Sequence, residues 1–315
     1  MKISAACMCC IVALVGGCGW IAGVARGQPE WRVITEQPAK YGLTAERVEM
    51  RSSDHLKVVG WWIPAHADRS GRATVILVHG VGGNRGDMLP LAKFLVAAGY
   101  DAFAIDLRAH GESEGDYPSP GYREVAEIDA AIEHAHKRSP RPVVLLGHSV
   151  GAVAVLHATS QGALVTATIA DGAFISAFDM LDHIGDRLAR EGAPIGIRIG
   201  LWFASMRSLA GVMSSMIQVG GGDDVDARRG DLMPVLPRIH VPVLFISGLA
   251  DDISPTTNTY AMIAAVKSHG TRIIELQASH ETHHDAPVPY EAAVLRFLSS
   301  VVPEVAAPVA NLPVP

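Results

Sequence analysis

The sequence predicts an α/β domain: a mostly parallel central sheet with helices on both faces and an inserted helical cap. Three observations carry this. First, Thr74–Val78, Ala102–Ile105, Val143–Leu146, Leu164–Ala170, Val243–Ile246 and Arg272–Leu276 are short apolar runs. Such runs suit strands buried on both faces. Helical patterns lie between most of them, at Met88–Ala98, Tyr122–His136, Ala152–Thr159 and Thr256–Ser268, and Tyr290–Val301 closes the series. Second, glycines follow several of the runs directly, as expected where a strand ends in a tight turn. Third, residues 172–236 break the alternation with helical patterns near Ala177–Arg190 and Ile195–Ile217. A segment of that length and position reads as a cap over the carboxyl ends of the strands, where catalytic groups of such sheets sit.

Ahead of the first parallel strand, Arg47–Ser52 and Leu56–Ile63 read as a β-hairpin turning at Ser53-Asp54-His55. Trp61 and Trp62 should face opposite sides, one of them toward the core. The domain boundaries that follow are a core of 28–171 and 237–302, a cap of 172–236 and a Pro-containing tail of 303–315.

Composition excludes several function classes. With 49% hydrophobic residues in 315, a sizeable core can form. The net charge is −6 and no Lys/Arg block occurs, which argues against a nucleic-acid partner. All four cysteines (Cys7, Cys9, Cys10 and Cys18) precede the folded region. That region therefore has no disulfide framework, thiol nucleophile or thiolate metal site. Residues 1–27 read as a targeting segment, uncharged from Ile3 to Ala25 between Lys2 and Arg26. Val15-Gly16-Gly17-Cys18 resembles a lipoprotein processing site. A retained membrane anchor and a cleaved signal peptide are the alternatives. All three place the domain in the cell envelope, at a membrane, or outside the cell.

The chemistry centres on Gly147-His148-Ser149-Val150-Gly151. A strand runs into it and a helix leaves it, which is the context of a nucleophile elbow. Gly111-Glu112-Ser113-Glu114-Gly115 has the same spacing but neither neighbour, so Ser113 is read as a loop residue. A serine hydroxyl needs a base, and the base needs a carboxylate to fix its tautomer. His280 follows the last strand and is the expected base, with His283 and His284 as alternatives. Asp251 follows the preceding strand and is the expected acid, with Asp252 and Asp171 as alternatives. His148 is read as a packed or hydrogen-bonded structural residue. An oxyanion would be held by the backbone N–H groups of Val150, directly after the nucleophile, and Val81, in the glycine loop after Thr74–Val78.

His280-Glu281-Thr282-His283-His284 also fits the His-Glu-x-x-His pattern of zinc hydrolases. That pattern needs a sustained helix, and Pro287 leaves barely one turn. No metal and no cofactor is expected.

Assembled, these residues resemble the α/β-hydrolase superfamily over roughly residues 46–302. The similarity rests on His79-Gly80-Val81-Gly82, the segment Asp106–Ser113, Gly147–Gly151 and Gly248-Leu249-Ala250-Asp251. The order Ser149, Asp251, His280 is that superfamily's triad order. The membrane-tethered serine hydrolases of the esterase and peptidase kind are most similar. The resemblance implies an ester, thioester or amide hydrolase acting on a small-molecule or lipid-like acyl substrate, with membrane contact through the N-terminal segment. The contrasting expectation is an envelope-anchored binding protein on the same fold, without catalysis. The sequence carries no sign of oligomeric state.

Overall fold

The apolar runs assemble into one eight-stranded sheet in the computed structural model, which describes residues 33–65, 71–116, 118–192, 194–196 and 227–302. The strands are β1 (Glu46–Arg51), β2 (Lys57–Ile63), β3 (Thr74–Val78), β4 (Asp101–Ile105), β5 (Val143–His148), β6 (Ala167–Asp171), β7 (Val243–Gly248) and β8 (Arg272–Leu276). Their order is β1-β2-β4-β3-β5-β6-β7-β8. β1 and β2 form the antiparallel hairpin, β2 pairs antiparallel with β4, and every later pairing is parallel.

The main helices are α1 (Leu89–Ala97), α2 (Val125–Arg138), α3 (Val150–Ser160), α4 (Ala177–Arg190), α5 (Thr256–Ala265), α6 (Thr282–Asp285) and α7 (Pro287–Val301). α7 starts earlier than its apolar spacing suggests. A proline at its first position costs nothing there, because that N–H has no intrahelical partner. β6 starts later than the apolar run, since Leu164 is exposed in the preceding turn.

Strand alternation divides the core between the two faces. Val75, Leu77, Val144, Leu146 and Ile169 pack under α1 and α7. Ile76, Val78, Phe103, Val143 and Leu145 pack under α2 and α3. The hairpin adds one tryptophan to each face, which corrects the expectation that only one would be buried. Trp61 joins the first cluster and Trp62 the second. Both are buried because β2 is an interior strand, flanked by β1 and β4.

A third cluster alters the reading of residues 172–236. Ala173, Phe174, Leu232 and Leu236 are buried with Val153, Leu156 and Phe245. Both flanks of that segment thus belong to the core. Its middle, residues 197–226, lies outside the described residues, as do the N-terminal segment 1–27 and the tail 303–315.

The winding of the sheet sets the place of the site. β4 lies on one side of β3 and β5 on the other. The connections leaving β3 and β5 therefore diverge, opening a crevice at the carboxyl ends of these strands. The glycine loop and Ser149 stand on either side of that crevice.

Candidate active site

Ser149 sits between β5 and α3 with φ 54° and ψ −119°. Positive φ is costly for a residue with a side chain and persists only where the surroundings impose it. The surroundings here are two close approaches. A Cβ at Gly147 would lie 2.2 Å from the Gly151 carbonyl oxygen, and one at Gly151 would lie 2.3 Å from that of Val78. Only glycine fits either position. The Ser149 N–H donates to the Asp171 carbonyl oxygen at 2.8 Å, fastening the turn to β6.

One side chain from beyond the last strand meets the hydroxyl, and a second, from beyond β7, meets the first. His280 Nε2 is 2.9 Å from Ser149 Oγ, and His280 Nδ1 is 2.8 Å from Asp251 Oδ2. The second oxygen of Asp251 accepts the N–H groups of Ile253 and Ser254 at 2.9 and 2.8 Å. Its carboxylate is thereby fixed in rotation. All three residues are buried. The loop bearing His280 passes so close to the end of β7 that a Cβ at Gly248 would fall 2.1 Å from the Ser279 carbonyl oxygen. That glycine was visible in the sequence, but its reason required the fold.

The glycine loop stands opposite. The Cβ of Ser149 is 3.1 Å from where one on Gly80 would be. His79 anchors the loop. Its Nδ1 donates to the Gly80 carbonyl at 2.7 Å and its Nε2 accepts from Leu107 N–H at 3.0 Å. Burial holds this imidazole down to a pKa of about 4, so it is neutral. The Gly82 N–H donates to His110 Nε2 at 3.1 Å and the Gly83 N–H to the Gly80 carbonyl at 3.2 Å. Among the described residues, the N–H groups of Val81 and Val150 donate to no protein acceptor.

The alternatives separate cleanly. Asp252 lies on the other side of its loop, 3.7 Å from both Arg187 and Arg190. Ser113 is a buried loop residue that accepts from Val59 N–H at 2.9 Å and donates to the Asp106 carbonyl. His284 is exposed, with its ring 4.2 Å from that of His283. Asp171 does not reach His280. Its Oδ2 lies 3.2 Å from His148 Nδ1 and its Oδ1 accepts from Thr282 Oγ at 2.5 Å.

His148 thus has a carboxylate partner of its own, as the structural reading expected. Its Nε2 is 3.5 Å from Glu281 Oε2, on the far side from Asp171. Burial alone would depress this imidazole. The bonds to Asp171 and Glu281 outweigh it and push the pKa up to about 10. The His148 and His283 imidazoles hold Asp171 below the carboxylate range against its burial, and His148 brings Glu281 down to about 2. Glu281, Thr282 and His283 all contact this second carboxylate–imidazole pair. Sequence spacing does not reveal that, because His148 and Asp171 come from the neighbouring strands β5 and β6, far along the chain from residues 281–283.

The Alpha/beta hydrolase family profile matches residues 75–293, which span β3 to α7. The chain belongs to the alpha/beta hydrolase family. Protein YfhR of Escherichia coli (strain K12) is 31% identical over 271 residues, covering 82% of each chain. The membrane protein YNL320W of Saccharomyces cerevisiae is 23% identical over 266 residues, covering 82% of this chain and 81% of its own. Among solved structures, the Pyrococcus furiosus esterase Pf2001 superposes with a TM-score of 0.69 at 22% identity, over 86% of this chain and 96% of its own. In this alpha/beta hydrolase the side chains of Ser149, His280 and Asp251 meet at the crevice between β3 and β5. No helix among the described residues is long and apolar enough to cross a membrane.

Proposed function

We propose that this hydrolase cleaves a carboxylic ester, or a related thioester or amide, through an acyl-enzyme formed on Ser149. The observation that carries the reading is the unbroken relay Ser149 Oγ–His280–Asp251, with both contacts below 3 Å. As the hydroxyl attacks the substrate carbonyl, His280 Nε2 takes its proton. Asp251 keeps the Nδ1–H tautomer in place and offsets the charge of the imidazolium. His280 then returns the proton to the leaving oxygen, sulfur or nitrogen as the bond to the acyl carbon breaks. Water attacks the acyl-enzyme by the same path in reverse.

The tetrahedral oxygen carries a negative charge in both steps. Val150 follows Ser149 and Val81 stands in the glycine loop opposite, and neither N–H is used by the described residues, so they are available to that oxygen. Donors already held in place need no reorganisation during the reaction. The substrate class is a small-molecule or lipid-like acyl compound. The apolar segment before residue 28 would hold the domain at a membrane, a reading in keeping with the description of the yeast relative as a membrane protein.

A fluorophosphonate probe tests the assignment directly. The wild type should be labelled once per chain and turn over p-nitrophenyl esters, while Ser149→Ala should do neither. Equal labelling of the variant would overturn the nucleophile. A folded wild type that is neither labelled nor active across ester, thioester and aminoacyl amide panels would favour a non-catalytic binding protein.

A further inference from the structure

The strand–helix junction that supplies His280 carries a second constellation that hydrolysis does not use. His148, Glu281 and His283 each place a ligand-capable atom within 4.8 Å of the other two. Glu281 and His283 belong to the His-Glu-x-x-His pattern, but not as its spacing would pair them. α6 is a single turn, and His280 is turned toward Ser149 and Asp251. The structure instead pairs the middle of the motif with the residue preceding the nucleophile.

We propose that His148, Glu281 and His283 form a binding site for a zinc-type divalent transition metal. Five features favour it. The donor set of two imidazoles and one carboxylate suits zinc, which takes three such ligands and completes its tetrahedron with water. His148 Nε2 and Glu281 Oε2 are 3.5 Å apart, close to the ~3.3 Å expected between two ligands of a tetrahedral ion with ~2.0 Å bonds. The other nitrogen of His148 already faces a buried carboxylate, Asp171, in the arrangement that orients metal-bound histidines. His283 is only 7% exposed, and its Nδ1 is buried without a hydrogen-bond partner among the described residues. It faces Asp171 Oδ2 at 3.6 Å, within ion-pair reach but beyond hydrogen-bond range. Glu281 is exposed, which leaves a route from solvent.

Coordination replaces the proton on His148 Nε2, which passes to solvent. The ion then joins the residue preceding Ser149 to two residues just after His280. It would act as a staple across the crevice, holding the nucleophile's strand against the base's loop. None of the three ligands belongs to the Ser149–His280–Asp251 relay, so failure of this proposal leaves the hydrolase reading intact.

The test uses the full chain, freed of metal by a chelator and titrated with Zn²⁺ against a chromophoric competitor. The wild type should bind one ion at this site, and its melting temperature should rise with Zn²⁺. Glu281→Gln, at an exposed position, should bind at least tenfold more weakly and lose the thermal response. His283→Gln should do the same. Co²⁺ should give the visible bands of a tetrahedral nitrogen–oxygen site, without the thiolate charge-transfer band that the N-terminal cysteines would produce. Equal affinity in all three proteins, a thiolate band that accounts for all bound Co²⁺, or no binding would overturn the proposal.

Discussion

Two imidazoles stand side by side at the crevice, and each has an aspartate on Nδ1. The rings of His148 and His280 are 5.1 Å apart. His280 links Asp251 to the Ser149 hydroxyl, whereas His148 links Asp171 to the Glu281 carboxylate. The third partner makes the difference. A hydroxyl can give up a proton to an imidazole, so the first chain is arranged for proton transfer. A second carboxylate stabilises the cation, so the second chain favours its ring as an imidazolium. On the proposed mechanism the same acid–base unit serves as machinery in one place and as framework in the other.

Substitutions can break this comparison at several points. The largest effect belongs to Ser149→Ala, which should reduce kcat by roughly 10⁶ with the fold intact by circular dichroism. Asp251→Asn should cost roughly 10⁴ in kcat with little change in KM, since it disturbs the tautomer and not substrate contact. Asp171→Asn is the matched control. It strips the buried His148 of its partner and should lower stability by about 3–5 kcal/mol in urea unfolding, with kcat falling less than tenfold. If the two asparagine variants lose similar amounts of kcat, the division between machinery and framework is wrong.

Smaller effects sharpen the picture. Val81→Pro removes one free N–H and should reduce kcat by about 10²–10³, whereas Val81→Ala keeps it and should stay within about threefold. His79 supplies the case of an imidazole with no carboxylate. Its folded pKa of about 4 lies below the unfolded value near 6.5. The unfolded chain therefore binds the proton first as pH falls. The stability this group allows at neutral pH is lost between about pH 6.5 and 4, by about 3 kcal/mol. His79→Asn should flatten the acid side of the stability profile by that amount; an unchanged profile would mean the ring is charged when folded.

Much of this architecture could be read from the chain because it depends on local rules. β3 and β5 are continuous apolar runs with glycines after them, so both strand and turn announce themselves. Ser149, Asp251 and His280 each lie just beyond a strand, and parallel strands bring their ends to one rim. The acid and base were narrower choices, among three aspartates and three histidines. Neighbours in sequence such as Asp251 and Asp252 differ only in which way the loop turns them. The pairing of His148 with Glu281 and His283 was not legible at all. Motif spacing links residues on one helix, and here the partners meet across two segments far apart in the chain. Leu232 and Leu236 were equally hidden, since an apolar residue in an irregular segment looks the same whether it covers a site or fills a core.

The position of β8 at the sheet margin has a consequence for biosynthesis. Ser149 and His280 are 131 residues apart, and β8 pairs only with β7. On a translating ribosome the elbow can fold while the base is still unmade. On the proposed mechanism the nascent chain carries a nucleophile without its base until its final strand docks.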